Sequence, residues 1–314
     1  MNKPKIKIGY IGLGKMGKNM VLRLLEQDVE VVVWNRSPGP LSEVVAAGAE
    51  AASSIQDLAE KLGSRKVIWL MLPHGAPTDE VLGKLKPFLH QGDLVIDGAN
   101  AHYEESIRHG ADLTGMGVRF MDVGVSGGPG GARNGACLMV GGDRGDFDQL
   151  NWLFEKLAAP NAFGYFGQVG AGHFAKMVHN GIEYGMMEAI AEGAAVLKSS
   201  NYQLDLAEVF RVYNNASVIE SRLVGWAQEA FAEDGSLSKI SSRIDHTGEG
   251  EWTVREAQKN GVPAPVIESA LKVRLNSQND APDSLNGFRN KVVSALRGKF
   301  GGHEVGNNYP KPRH

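Results

Sequence analysis

The chain has 314 residues, 42% of them hydrophobic and 22% charged, with a net charge of −3. That length suits about two domains with real cores, and the near-neutral charge gives no reason to expect a nucleic-acid or membrane partner. One cysteine, Cys137, excludes an intrachain disulfide and a thiolate metal cage; with no long apolar run and no signal-type leader, a cytoplasmic protein is expected. In chain order, Lys5 to Ile11 reads as an opening strand and runs into Gly12-Leu13-Gly14-Lys15-Met16-Gly17. A helical pattern then continues through Leu25, and Val29 to Trp34 is a second, β-branched strand. This is Gly-x-Gly-x-x-Gly set between strand and helix, the dinucleotide fingerprint. Its glycines allow a tight turn and let a pyrophosphate approach the helix N-terminus, where free N–H groups favour an anion. Gly12, Leu13, Gly14, Met16 and Gly17 are therefore cofactor candidates.

The end of the second strand bears on which dinucleotide binds. NAD sites usually place a carboxylate there for the ribose 2′-hydroxyl; here the residues are Trp34-Asn35-Arg36-Ser37. A carboxylate would repel a 2′-phosphate, whereas Arg36 with Asn35 and Ser37 would attract one. The expected cofactor is NADP, with NAD as the weaker alternative. Further strands over Lys66 to Leu72, Asp93 to Asp97, Val118 to Val123, Ala136 to Val140 and Ala162 to Phe166 alternate mostly with helical stretches. They predict an α/β domain with a mostly parallel, doubly wound Rossmann-like sheet. Ligands of such sheets lie beyond the C-terminal strand ends. Attention falls on Met71-Leu72-Pro73-His74-Gly75, on Asp97-Gly98-Ala99-Asn100, and on Val125-Ser126-Gly127-Gly128-Pro129-Gly130-Gly131, which can hold a carboxylate with backbone N–H groups and the Ser126 hydroxyl. Cys137 sits in an apolar run and reads as a buried structural thiol.

From about His173 to Lys198 the chain predicts a long helix. Lys176, Asn180, Glu183 and Met187 follow the i, i+4, i+7, i+11 spacing of one face, flanked by His179 and Tyr184. Phe174, Met177, Val178, Ile182, Met186 and Ile190 fall mainly on other faces, where they can pack. Gly181 and Gly185 cost the helix ~1 kcal/mol each against alanine, which suggests another backbone or a ligand close by. The remaining segments to Arg297 read as helical, without a convincing strand. The expected division is 1–172 as the dinucleotide domain, 173–297 as an all-helical substrate and dimerisation domain, and 298–314 as a tail, with substrate in the cleft between domains. No His/Asp/Glu cluster has metal-ligand spacing, so no metal is expected.

Taken together, Gly12 to Gly17, Ile96-Asp97-Gly98-Ala99-Asn100, Val125-Ser126-Gly127-Gly128 and Lys176-Met177-Val178-His179-Asn180-Gly181-Ile182-Glu183-Tyr184 resemble the decarboxylating 6-phosphogluconate dehydrogenases. In length the chain is similar to their short branch, with one helical domain. The wider β-hydroxyacid dehydrogenases share the first three motifs and the lysine, but not the string after it. The resemblance implies conversion of 6-phosphogluconate to ribulose 5-phosphate and CO2 with reduction of NADP, a step of the pentose phosphate pathway. It implies Lys176 as the base on the C3 hydroxyl and Glu183 as the acid that protonates the enediol, with Asn180 beside them. Ser126, Gly127, Gly128, His179 and Asn180 would hold the carboxylate and hydroxyls; Asn100 would lie between nicotinamide and substrate, with Met71 and Leu72 against the cofactor. Arg297 and His303 would complete the neighbouring subunit's site in a homodimer, or in a tetramer built from it.

One part of the pattern departs. Long-chain members carry a lysine where this chain has Thr247, and an arginine expected after Arg274 is replaced by Asn276, Ser277 or Gln278. Tyr184, Thr247, Arg297 and Arg274 remain for the phosphate, although phosphate charge is normally met by Lys or Arg. The alternative reading is a β-hydroxyacid dehydrogenase acting without decarboxylation on a small unphosphorylated acid such as gluconate or 3-hydroxyisobutyrate. Glu183-Tyr184 discriminates, since that reaction needs no acid to protonate an enediol.

Overall fold

A computed structural model describes residues 7–246 and 248–301. The chain divides into two compact units after Met177.

The first unit alternates strand and helix: β1 (Ile8–Ile11), α1 (Lys15–Glu26), β2 (Val31–Trp34), α2 (Gly39–Ala46), β3 (Glu50–Ala51), α3 (Ile55–Leu62), β4 (Val67–Leu70), α4 (Ala76–Leu85), β5 (Leu94–Asp97), α5 (Tyr103–Thr114), β6 (Arg119–Ser126), α6 (Gly128–Asn134), β7 (Ala136–Gly141), α7 (Arg144–Leu157) and β8 (Ala158–Gly167). The strands form one sheet in the order β3-β2-β1-β4-β5-β6-β7-β8. Every pairing is parallel except β6 with β7. The central strands β1, β4 and β5 are buried along their whole length, as expected where helices cover both faces of a parallel sheet. Their side chains, with those of β2, alternate between two cores. Ile8, Tyr10, Val33, Trp69 and Ile96 point to one; Ile11, Val32, Ile68, Leu70 and Val95 point to the other, with the two-residue period of a strand. Each fully buried aliphatic there contributes about 2 kcal/mol relative to exposure.

The doubly wound sheet expected from the sequence is present, with differences at its margins. β3 is only two exposed residues, Glu50 and Ala51, too short to show a periodicity. β8 starts at Ala158, four residues earlier than its apolar stretch. The glycine-rich segment after β6 enters α6 at Gly128 and is not a loop throughout. Cys137 is corrected from buried to exposed: its neighbours Ala136 and Leu138 point into the core, so it faces the other way.

Helix α8 (Ala171–Ser199) begins in the first unit and runs on into the second. The second unit continues with α9 (Leu206–Tyr213), α10 (Arg222–Glu233), α11 (Glu249–Lys259), α12 (Pro265–Asn276) and α13 (Leu285–Gly301). Asp205 and Ser221 cap α9 and α10 by accepting first-turn N–H bonds. The core gathers Tyr184, Met187, Phe210, Val224, Phe231, Leu271, Val292 and Leu296. Among the described residues no strand forms in this unit, and no helix is long and apolar enough to cross a membrane.

Candidate active site

The nucleotide end is built from the β1–α1 turn. Gly12 has φ +99°, and a Cβ there would strike the Met71 carbonyl; a Cβ at Gly17 would strike the Gly12 carbonyl oxygen. Nothing lies within 4 Å of the corresponding point on Gly14, so the turn is open where a pyrophosphate would approach. α1 begins with Gly14 at its N-cap, no side-chain cap and no acid in its first turn. Its first N–H groups and dipole are thus left for an anion. Leu13 is buried and Met16 half-buried beside this turn.

Asn35 makes two hydrogen bonds at this turn. It accepts the Leu13 N–H at 2.8 Å and donates from Nδ2 to the Ser37 carbonyl at 2.7 Å. It therefore ties the glycine-rich turn to the end of β2. Arg36 and Ser37 are exposed there. Met71 follows β4 half-buried and donates its N–H to the Ile11 carbonyl at 2.8 Å, with Leu72 next to it.

The start of α8 is anchored by residues that sequence reasoning missed. Asp122 on β6, fully buried, accepts the Gly170 N–H at 2.6 Å and the His173 N–H at 2.7 Å. A carboxylate on one strand thus caps the first turn of the helix that carries Lys176. The His173 ring is buried with Nδ1 2.7 Å from the Ser106 hydroxyl. Asp97 is the register partner of Asp122 on β5, and burial pushes its carboxyl above the usual carboxylate range. Two residues along β6, a Cβ on Gly124 would overlap the Lys176 Cβ and lie 3.0 Å from its Cγ. The lysine stem therefore rests on bare backbone. A carboxylate inside an otherwise apolar strand was the available signal for Asp122; nothing local marked Gly124.

We expect Gly124→Ala to push Lys176 off this seat. Overpacking of this kind costs about 1–3 kcal/mol, and a displacement near 1 Å at a reacting group costs turnover about a hundredfold. Urea unfolding and steady-state rates check both, with nucleotide affinity retained.

Other candidates of the first unit sit at strand ends. Asn100 is half-buried after β5, where the Ala99 N–H is held by Asp97 Oδ1 at 3.0 Å. Ser126 closes β6, half-buried, followed by Gly127 (φ +122°) and Gly128 (φ +61°).

Along α8, Lys176 and Asn180 are 6% and 8% exposed. His179 Nδ1 lies 3.0 Å from Asn180 Oδ1 and 3.8 Å from Glu183 Oε2. The helix spacing sets Lys176, Asn180 and Glu183 one above another. Met187, next in that series, is fully buried in the second unit's core instead. Phe174, Ile182 and Met186, expected to pack, are 36%, 53% and 43% exposed. The two glycines answer to helix packing: a Cβ at Gly181 would overlap Thr253 of α11, and one at Gly185 would come within 3.2 Å of Val266 of α12.

Tyr184 is 5% exposed and packs against the second unit's other helices. The Arg274 guanidinium lies 3.3 Å from its ring centroid, and a Cβ at Gly250 would overlap the ring edge. Burial raises the phenol pKa and lowers the Arg274 guanidinium to about 10. Arg297 on α13 is 6% exposed inside this same unit, also lowered by burial, and its charge acts on Tyr184. Asn276 and Gln278 are exposed. Ser277 is structural, accepting the Ile244 N–H and donating to the Arg274 carbonyl. Thr247 and His303 lie outside the described residues.

Comparison with known proteins agrees with this layout. Residues 7–170 match the NAD binding domain of 6-phosphogluconate dehydrogenase and residues 172–304 its C-terminal domain. A Haloferax volcanii protein named as an NAD(+)-dependent, decarboxylating 6-phosphogluconate dehydrogenase is 41% identical over 302 residues, covering 96% of this chain and 98% of its own. A decarboxylating 6-phosphogluconate dehydrogenase from Synechocystis is 37% identical, covering 87% of this chain and 61% of its own. Among solved structures, Plasmodium falciparum 6-phosphogluconate dehydrogenase superposes with a TM-score of 0.80 at 29% identity, covering 92% of this chain and 70% of that one. With a nucleotide-binding turn in the first unit, the lysine–glutamate helix, and matches over nearly its whole length, the chain belongs to the 6-phosphogluconate dehydrogenase family.

Proposed function

We propose that the protein oxidises 6-phosphogluconate with NADP and decarboxylates it to ribulose 5-phosphate. The observation that carries this is the α8 ladder, in which Lys176, seated on Gly124, is followed on one helix by Asn180 and Glu183. When bound, NADP supplies the hydride acceptor. Neutral Lys176 takes the proton of the C3 hydroxyl as C3 loses its hydride. The product is a 3-keto acid, and its C1–C2 bond breaks as CO2 leaves, the electron pair passing through C2 toward the C3 oxygen. Lys176, now an ammonium, returns its proton to that oxygen. Glu183 then protonates the carbon that becomes C1 of the product while the enediol oxygen gives its proton back to Lys176 and becomes the ketone; proton transfer from the Lys176 ammonium to the Glu183 carboxylate restores both groups and closes the proton balance. Ser126 and the Gly127 and Gly128 backbone, with His179 and Asn180, hold the carboxylate and hydroxyls; Asn100 lies toward the nicotinamide. No metal is required, because the ammonium polarises the carbonyl.

Two features support NADP: no carboxylate ends β2, and Arg36 is exposed there. The Haloferax relative is named NAD(+)-dependent, so rates with both nucleotides belong in the test. The resemblance also supports a homodimer, which sedimentation of the active enzyme checks.

Initial rates with 6-phosphogluconate and gluconate, each with NADP and NAD, decide the assignment when CO2 is trapped in parallel. We expect fast reduction of NADP with 6-phosphogluconate alone, and one CO2 per NADPH. Turnover of gluconate but not its phosphate, or hydride transfer without CO2, moves the chain to the β-hydroxyacid reading. The non-basic Thr247, Asn276 and Gln278 would then be its explanation. Faster reduction of NAD would overturn the argument from Arg36.

A further inference from the structure

Two carboxylates lie side by side inside the sheet of the first unit, on the face that carries Lys176. Asp97 on β5 and Asp122 on β6 are register partners, and both are fully buried. Register partners on adjacent strands point to the same face, with backbones about 4.8 Å apart. Asp122 uses both oxygens on α8, accepting the Gly170 and His173 N–H groups at 2.6 and 2.7 Å. Bare backbone lets the helix start press against it: a Cβ on Gly141 would lie 2.6 Å from its Oδ1, and one on Gly172 2.6 Å from its carbonyl oxygen. Asp97 receives far less. Its Oδ1 accepts the Ala99 N–H at 3.0 Å, and its buried Oδ2 has no hydrogen-bond partner among the described residues. When two carboxylates share a buried site, one of them keeps a proton. The hydrogen bonds decide which. Asp122 accepts two N–H bonds at the positive end of the α8 dipole, a place for an anion. Burial disfavours the anion at Asp97 and raises that carboxyl above the usual range. The titratable groups acting on Asp97 are His173 from α8, His109 from α5 and Asp122 from β6. His173 is a poor counter-ion for it: Nδ1 is engaged with the Ser106 hydroxyl at 2.7 Å and the buried Nε2 has no partner. An imidazolium there would bury an N–H with no acceptor.

We propose that Asp97 is a positioning residue for Lys176: it carries the one proton of the pair, so that Asp122 alone is the anion that fixes the start of α8. Gly124, which seats the lysine stem, lies two residues along β6 from Asp122, so cap and seat belong to one strand. Through the Ala99 N–H the same Asp97 side chain also sets the chain that leads from β5 to Asn100. That Lys176 is the base so positioned rests on the function proposed above.

The test compares wild type with Asp97→Ala, Asp97→Asn and Asp122→Asn, and NADP binding reports folding. Asparagine at 97 has the shape of the neutral acid and keeps the acceptor for Ala99. Asp97→Ala should lower kcat at least about tenfold with KM little changed, and Asp97→Asn should rescue it to near the wild-type value. The same change at Asp122 should lower kcat at least about tenfold, because it removes the anion from the helix start. A merely structural pair would respond alike to the two asparagine substitutions, with nucleotide affinity falling alongside kcat; that result overturns the proposal. The pH dependence gives a second readout. An Asp97 carboxyl raised in the folded state costs stability as pH climbs from the ordinary aspartate range through its raised value. In urea unfolding, the stability of Asp97→Asn relative to wild type should therefore grow with pH across that window and then level off. A difference that stays flat or shrinks overturns the proposal. Hydrogen exchange of the amides from Gly170 to Lys176 reads the helix start without substrate. Asp122→Asn should speed it about fivefold, and Asp97→Asn should leave it as in wild type; equal loss of protection in both overturns the proposal. Should wild type fail to use 6-phosphogluconate, the functional reading falls, and exchange with the unfolding curves decides this one separately. Should Asp97→Ala or Asp122→Asn fail to fold, Asp97→Asn decides alone. Wild-type exchange with a stability gain that grows with pH supports the proposal; faster exchange, or no gain, overturns it.

Discussion

Lys176→Met should abolish turnover of 6-phosphogluconate, a loss of about 10³-fold or more, while NADP still binds. General acid–base catalysis contributes about 10²–10⁴-fold, and Lys176 acts twice in the proposed sequence, first as base at the C3 hydroxyl and then as acid at the C3 oxygen. Methionine keeps an unbranched stem of similar volume, so the seat on Gly124 is still filled and the swap is well tolerated by packing. The nucleotide turn is made by Gly12, Leu13, Gly14 and Gly17 with Asn35. Stopped-flow mixing with 6-phosphogluconate and a separate NADP titration separate the two effects. Turnover within tenfold of wild type would place the base elsewhere and end the proposed mechanism.

That this experiment can be designed at all reflects how locally the chemistry is written. The strands β1, β2, β4 and β5 are legible because a buried parallel strand must be a continuous β-branched or apolar run, and the fingerprint is legible because each glycine answers to a backbone constraint inside a few residues. The lysine, amide and carboxylate of α8 are legible because helix spacing alone fixes their common face. Periodicity does not reveal which side of a face a distant element covers. It therefore assigned Met187 to the polar stripe and Ile182 and Met186 to packing, whereas the second unit's core takes Met187 and leaves the other two exposed. The same limit hid the Asp122 cap on α8, a contact across 48 residues of sequence to Gly170, and the stack of Arg274 on Tyr184. Gly181 and Gly185 were legible as close approaches but not as to what approaches; Thr253 and Val266 answer that. Asn35 shows a task that spacing does not reveal: its amide accepts the Leu13 N–H and donates one hydrogen to the Ser37 carbonyl, and its second N–H is compatible with the nucleotide role read from the sequence.

Glu183→Gln should separate the two halves of the reaction. The carboxylate is partly buried, with 19% of its side chain exposed, and lies 3.8 Å from His179 Nδ1; glutamine keeps the shape and hydrogen-bonding reach but carries no transferable acidic proton. In the proposed sequence, hydride transfer and loss of CO2 depend on Lys176 and precede protonation at carbon. The variant should therefore show a burst of one NADPH per site followed by steady turnover lowered about 10²–10⁴-fold, whereas Lys176→Met shows no burst. In D2O the wild-type enzyme should place one deuteron stereospecifically at C1 of the product. The variant should lose that stereospecificity, because solvent then protonates the released enediol from either side. A burst slowed as much as the steady state would reassign Glu183 to holding the substrate before oxidation. Unchanged steady-state turnover would remove the need for an acid at this position, which is the behaviour of a dehydrogenase that stops at hydride transfer, and would favour the β-hydroxyacid reading over decarboxylation.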